Sequence, residues 1–180
     1  MIEVFAEGLE VNQSVVRLIK GDITDLDVDA FVFYAEPNLA LGSGFGGAIA
    51  VRGGASIQKE LESLAPVAPG EAVVSAAGNL KAKYIIHANG PKFREEDTEA
   101  KLRTTVVNSL LRAEQIGVER LALPAMGAGY YGVAPDLCAR VMLEAITGHL
   151  RCETGISEVV ICVLDTPQYN AFKTQLEKTP

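Results

Sequence analysis

The sequence predicts an α/β fold, a three-layer α/β/α sandwich around a central mixed sheet. Three observations predict it. Short β-branched runs alternate with segments whose apolar residues recur every three or four positions. Several of those runs are apolar on both faces, as strands inside a doubly covered sheet must be. Gly and Pro clusters fall between the periodic segments and not in one long linker. Strands alternating with helices are the pattern of crossover units, and in such architectures ligands bind at the carboxyl ends of the strands.

The expected strands, in order, are Val15 to Ile19, Val28 to Phe33, Ala72 to Ser75, Tyr84 to His87, Leu121 to Leu123 and Val159 to Leu164. Each is a short run rich in residues that fit a pleated, buried surface. The helical stripes are Ile57, Leu61 and Leu64; Leu102, Val106, Leu110, Ala113 and Ile116; and Leu137, Val141 and Ala145. A last helix is expected to begin around Pro167, because Asp165 or Thr166 can cap a first turn and Pro is tolerated at its first position. With 180 residues, 48% of them hydrophobic, the chain can bury a sizeable core, and no repeat or low-complexity tract divides it. Residues 1–180 are therefore expected to form a single domain.

Composition narrows the function. The net charge of −7 works against attraction to long nucleic acids, whose phosphates call for a basic face. A small anion is still open to the chain, since backbone N–H groups and helix N-termini hold phosphate without Lys or Arg. The N-terminus MIEVFAEGLE is acidic where a secretory signal needs a positive flank, and no apolar run reaches spanning length, so a cytoplasmic protein without a membrane partner is expected. Cys138, Cys152 and Cys162 show no zinc-ligand spacing and are odd in number; buried free thiols are the expectation.

Two glycine-rich segments carry the functional signal. In the first, Gly42, Ser43, Gly44, Phe45, Gly46 and Gly47 lead into the helical AIAV. Glycines there let the backbone approach a ligand and turn successive N–H groups toward one spot, where the helix adds its positive end. The second, PAMGAGYYGVAPD, repeats this logic after the strand at Leu121 to Leu123, with Gly127, Ala128, Gly129, Tyr130 and Tyr131 at its centre and Pro135 suited to the next helix. Two such loops after two strands suit a diphosphate gripped from both sides, the tyrosines covering the ligand or packing on their own loop. Gly42, Gly44 and Gly47 also satisfy GxGxxG, but they come about eight residues after their strand, and the acid some twenty residues on, Glu62, lies in a helical pattern, which argues against a Rossmann dehydrogenase.

The order GDIT, GSGFGGAI, IHANGPKF and LPAMGAGYYG resembles the macro domain over nearly the whole chain. The resemblance implies binding of ADP-ribose, free or on an ADP-ribosylated protein, with no metal or cofactor. It implies that Asp22 takes the adenine amino group, that Ile23 offers its backbone nearby, and that the two loops surround the diphosphate and distal ribose. The alternative it implies is an ADP-ribosyl hydrolase or O-acetyl-ADP-ribose deacetylase on the same fold; a module for another nucleotide or an RNA end ranks below.

Three departures from the family pattern bear on that choice. Where many active members read NAAN, this chain has Phe33, Tyr34, Ala35 and Glu36. An asparagine donates hydrogen bonds, whereas an ionised glutamate only accepts, which argues against asparagine-dependent catalysis. Glu36 stays the candidate catalytic residue in one role, a general base on water, against a solvated or structural one. Gly46 stands where some active members carry aspartate, and Leu164 replaces an aromatic that often stacks on adenine.

The remaining polar residues have simpler readings. His87 is expected to be a core or loop-anchoring histidine and His149 to suit a helix C-terminus. Glu95, Glu96 and Asp97 are expected to enrich a helix's first turn, and Asp25, Asp27 and Asp29 to form a polar approach to a buried strand rather than a cation site.

Overall fold

The computed structural model describes residues 3–4 and 8–180. The expectation that no secretory signal opens the chain falls largely on residues outside these. Eight strands form one mixed sheet among the described residues: β1 (Glu3–Val4), β2 (Leu9–Val11), β3 (Ser14–Lys20), β4 (Ala30–Tyr34), β5 (Ala72–Ala76), β6 (Tyr84–Ala88), β7 (Arg120–Leu123) and β8 (Glu158–Val163). Five helices accompany them: α1 (Gly44–Gly53), α2 (Ala55–Leu64), α3 (Thr98–Gln115), α4 (Pro135–Leu150) and α5 (Thr166–Lys178).

The sheet order is β1-β3-β8-β7-β4-β6-β5, with β2 also on β3. Its five inner strands, β3, β8, β7, β4 and β6, run parallel. β1 and β2 on one side and β5 on the other are antiparallel. β4 shows why helices must cover both faces. All five of its residues are buried, and they divide by the two-residue period of a strand. Ala30, Val32 and Tyr34 join the core under α3, α4 and α5, whereas Phe31 and Phe33 join the core under α1 and α2. The result is the expected α/β/α sandwich. No helix among the described residues is long and apolar enough to cross a membrane.

Several expectations need correction. β1 and β2 were not foreseen; β2 forms because Asn12, at φ 54°, turns the chain back so that Val11 pairs with Ser14. Two thirds of the first glycine segment is helix, since α1 starts at Gly44. α5 starts at Thr166, one residue early, with the Asp165 side chain accepting from the Gln168 amide. Glu95 and Glu96 precede α3 instead of entering its first turn: Glu95 accepts from the Lys92 amide and from Lys101, and Asp97, the N-cap, makes no side-chain cap bond. Cys138 and Cys162 are buried, but Cys152 is exposed, near the end of α4 where the chain leaves the core.

Candidate functional site

Parallel strands bring their carboxyl ends to one edge, so the segments after β3, β8, β7, β4 and β6 all leave the sheet together. β4 and β7 pair only at Ala30 with Leu121 and Phe31 with Ala122, and beyond that they part. That parting of the strand ends, a crevice in the backbone ladder, is flanked by the turn before α1 and the turn before α4. The two turns touch. The Tyr131 hydroxyl donates to Glu36 Oε1, and the Tyr131 ring lies 4.6 Å from that of Tyr34.

In the first turn Gly42 (φ 64°) and Gly44 (φ 62°) adopt a left-handed backbone that L side chains rarely take, and each faces open space. Ser43 is the N-cap of α1 but its side chain bonds no amide. The first amides of α1 have no acceptor within the helix, so they are free to hold an anion. Gly46 is buried, and a Cβ there would stand 1.7 Å from the Leu41 carbonyl oxygen. That contact leaves no room for a side chain. Gly47 has ordinary room. Phe45 is half-buried: its ring packs edge-on against Phe33 at 5.0 Å and lies against the core of the α1 side.

The second turn carries a short 3-10 helix, Gly129–Tyr131, and α4 begins after Ala134, which cannot cap it. Ala128 packs on the core, and Gly127, at φ 80°, approaches Val133. Tyr130 is 87% exposed and packs only edge-on against Tyr131, at 5.1 Å. Burial together with the Glu36 contact raises the Tyr131 pKa above the ordinary tyrosine value. Glu36, Lys92, Phe93, Tyr130 and Tyr131 line a recess of about 410 Å³. Lys92, with Nζ 5.3 Å from the Tyr131 ring centre and 2.9 Å from Asn89 Oδ1, is lowered in pKa, chiefly by burial.

Farther along the same edge, Asp22 caps the 3-10 turn Ile23–Asp25 after β3. Its Oδ1 accepts from the Thr24 amide and hydroxyl, and its Oδ2 pairs with Arg52 at 2.8 Å. The Ile23 side chain is buried in the core of the α1 side, so only its backbone is offered outward. Leu164 follows the end of β8 and is 70% exposed.

Lys92, Phe93 and Arg52 went unnoticed in the sequence. The IHANGPKF motif pointed at the first two; Arg52 carries no local signal. His87 is a core residue: its Nε2 meets Ser75 Oγ at 2.8 Å, its Nδ1 has no partner, and burial lowers its pKa to about 4. His149 pairs with Glu114 in the last turn of α4. Among the described residues no cluster of His, Cys, Asp and Glu has the makings of a metal site.

Fold and edge together define an α/β/α sandwich with paired glycine-rich turns on neighbouring parallel strands. The macro domain family matches residues 34–142. A macro domain-containing protein of Caldanaerobacter subterraneus is 34% identical over 91% of this chain and 96% of its own. A protein of Saccharolobus solfataricus is 40% identical over 93% of this chain and 92% of its own. The chain belongs to the macro domain family. Among solved structures, the Oceanobacillus iheyensis macrodomain with ADP superposes with a TM-score of 0.92 at 20% identity, covering 99% of this chain and 97% of that one. The Trypanosoma brucei macrodomain in complex with ADP gives 0.85 at 22% identity, over 92% and 70%. At these identities the likeness is one of fold.

Proposed function

We propose that the chain binds ADP-ribose or a related adenine nucleotide, free or protein-linked, in the crevice between β4 and β7. The observation that carries this reading is the meeting of two glycine-rich turns there, each leading into a helix whose N-terminus no side chain caps. Uncapped amides and the positive helix end suit a diphosphate. The ADP complexes of the Oceanobacillus and Trypanosoma macrodomains support the same ligand class. The adenine end lies toward Asp22 and Ile23, and Leu164 flanks it. A cytoplasmic location belongs to the same reading, supported by three free thiols.

Binding is favoured over hydrolysis. Glu36 already accepts a hydrogen bond from Tyr131, which occupies an oxygen a general base would use. The carboxylate that some active members carry at the position of Gly46 has no room here.

Calorimetric titration with ADP-ribose, AMP and ribose 5-phosphate tests the reading. Selective binding of ADP-ribose at micromolar strength, about −8 kcal/mol, is expected. Asp22→Ala should weaken the adenine-containing ligands far more than ribose 5-phosphate, and equal losses would contradict the assignment. Release of ADP-ribose from modified protein by the wild type, abolished in Glu36→Gln, would establish the hydrolase instead.

A further inference from the structure

Asp22 does not stand alone at its edge of the crevice. Its Oδ1 takes both the Thr24 amide, at 2.9 Å, and the Thr24 hydroxyl, at 2.6 Å. Arg52 Nη1 reaches Asp22 Oδ2 at 2.8 Å, Thr24 Oγ1 at 2.9 Å and Asp25 Oδ1 at 2.9 Å. Thr24 thus spends its one proton on Asp22 and accepts from Arg52, closing a ring of three side chains.

A carboxylate offers about four lone-pair sites. Thr24 fills both sites on Oδ1, and Arg52 faces Oδ2 as a counter-charge at 2.8 Å, so Oδ2 is the one acceptor oxygen left for a ligand. A single open acceptor oxygen takes an N–H, and it repels a base that presents an oxygen in the same place. Arg52 also sets a positive charge against Asp22 and Asp25, so that an anionic ligand does not meet two bare carboxylates. Arg52 lies in the last turn of α1, the helix whose first turn holds the glycine-rich segment, so one rigid element of ten residues links the two ends of the crevice.

We propose that Arg52 is a positioning and specificity-determining residue: it holds Asp22 so that its remaining acceptor selects an exocyclic amino group on the base. This rests on the ADP-ribose reading above. The Asp22 pKa agrees with the arrangement, since burial raises it but Thr24 and then Arg52 outweigh that and leave it lowered.

The test titrates wild type, Arg52→Ala, Arg52→Lys and Asp25→Asn with ADP-ribose, with its hypoxanthine analogue and with ribose 5-phosphate, after a thermal melt shows each variant folded. Wild type should prefer ADP-ribose over the hypoxanthine analogue by about tenfold or more, the scale of one charged hydrogen bond. Arg52→Ala should lose most of that preference and leave ribose 5-phosphate within about twofold, given that the change is one pair removed at the far end of α1. Its ADP-ribose affinity should also fall away at a higher pH than in wild type as the solution is acidified, because Asp22 loses a counter-charge. Arg52→Lys keeps the charge without the planar fork and should fall between them. Asp25→Asn should keep the preference. Undiminished preference in Arg52→Ala, or an equal loss in Asp25→Asn, overturns the inference alone. Failure of wild type to bind ADP-ribose overturns the ligand reading and the inference with it.

Discussion

Replacing Gly46 by alanine sets two known effects against each other. In a helix interior alanine is better than glycine by about 1 kcal/mol, so propensity predicts a gain. The site predicts a loss, because the new Cβ would lie 1.7 Å from the Leu41 carbonyl oxygen and 2.6 Å from its carbon. Neither group yields easily: Leu41 is 5% exposed and its amide donates to Gln58 Oε1 at 3.1 Å. Forcing extra volume into such a place costs about 1–3 kcal/mol, and here the neighbour is backbone, so the upper end applies. The net is a destabilisation of about 2 kcal/mol, a fall in Tm of roughly 4–8 °C for a chain of this size. Gly47→Ala is the matched control, since its Cβ would meet nothing closer than the Gly42 carbonyl at 3.4 Å. It should be neutral or gain up to about 1 kcal/mol. Urea unfolding of the three proteins decides the matter. Equal stability of Gly46→Ala and wild type would refute the steric reasoning.

Other changes test other parts of the structure. His87 is fully buried with its pKa lowered to about 4, so its neutral form favours the folded state. Its contribution is complete above the unfolded value near 6.5 and is lost as pH falls toward 4, a span of about 3 kcal/mol. His87→Gln should flatten the stability curve of wild type over that window, as read from urea midpoints. Tyr131→Phe should cost about 1 kcal/mol by freeing Glu36. Because the Tyr131 pKa is raised in the fold, its contribution holds below the ordinary tyrosine value and is lost above it; the variant should therefore lose less stability than wild type in strong alkali. Burial pushes the Cys138 and Cys162 thiols up to about 12, whereas Cys152 is exposed. Iodoacetamide should modify one thiol in the native protein and all three after unfolding; rapid modification of a second would contradict the packing around α4 or β8.

Local pattern carried the main elements. Val15 to Ile19, Tyr84 to His87 and the Leu102 to Ala113 stripe announce themselves because an apolar period must match the element that buries it. β2 left a fainter trace, an asparagine between two short runs at Val11-Asn12-Gln13-Ser14, of a kind that suits a tight turn. The packing of Phe45 on Phe33 was not legible, since its glycine-rich surroundings carry no apolar period and only the start of α1 turns the ring that way.

The sequence by itself determined most of the strands and helices, that helices cover both faces of the sheet, and where the chain needs glycine. Those are consequences of periodicity and of backbone sterics, both local. Only the tertiary structure decided that Tyr131 holds Glu36, 95 residues away, and that Arg52 holds Asp22, 30 residues away. Those pairs depend on β7 lying between β8 and β4, on the splay of β4 from β7, and on α1 running from the glycine turn to the end of β3. Strand order is set by how the whole core packs, so no window of sequence contains it.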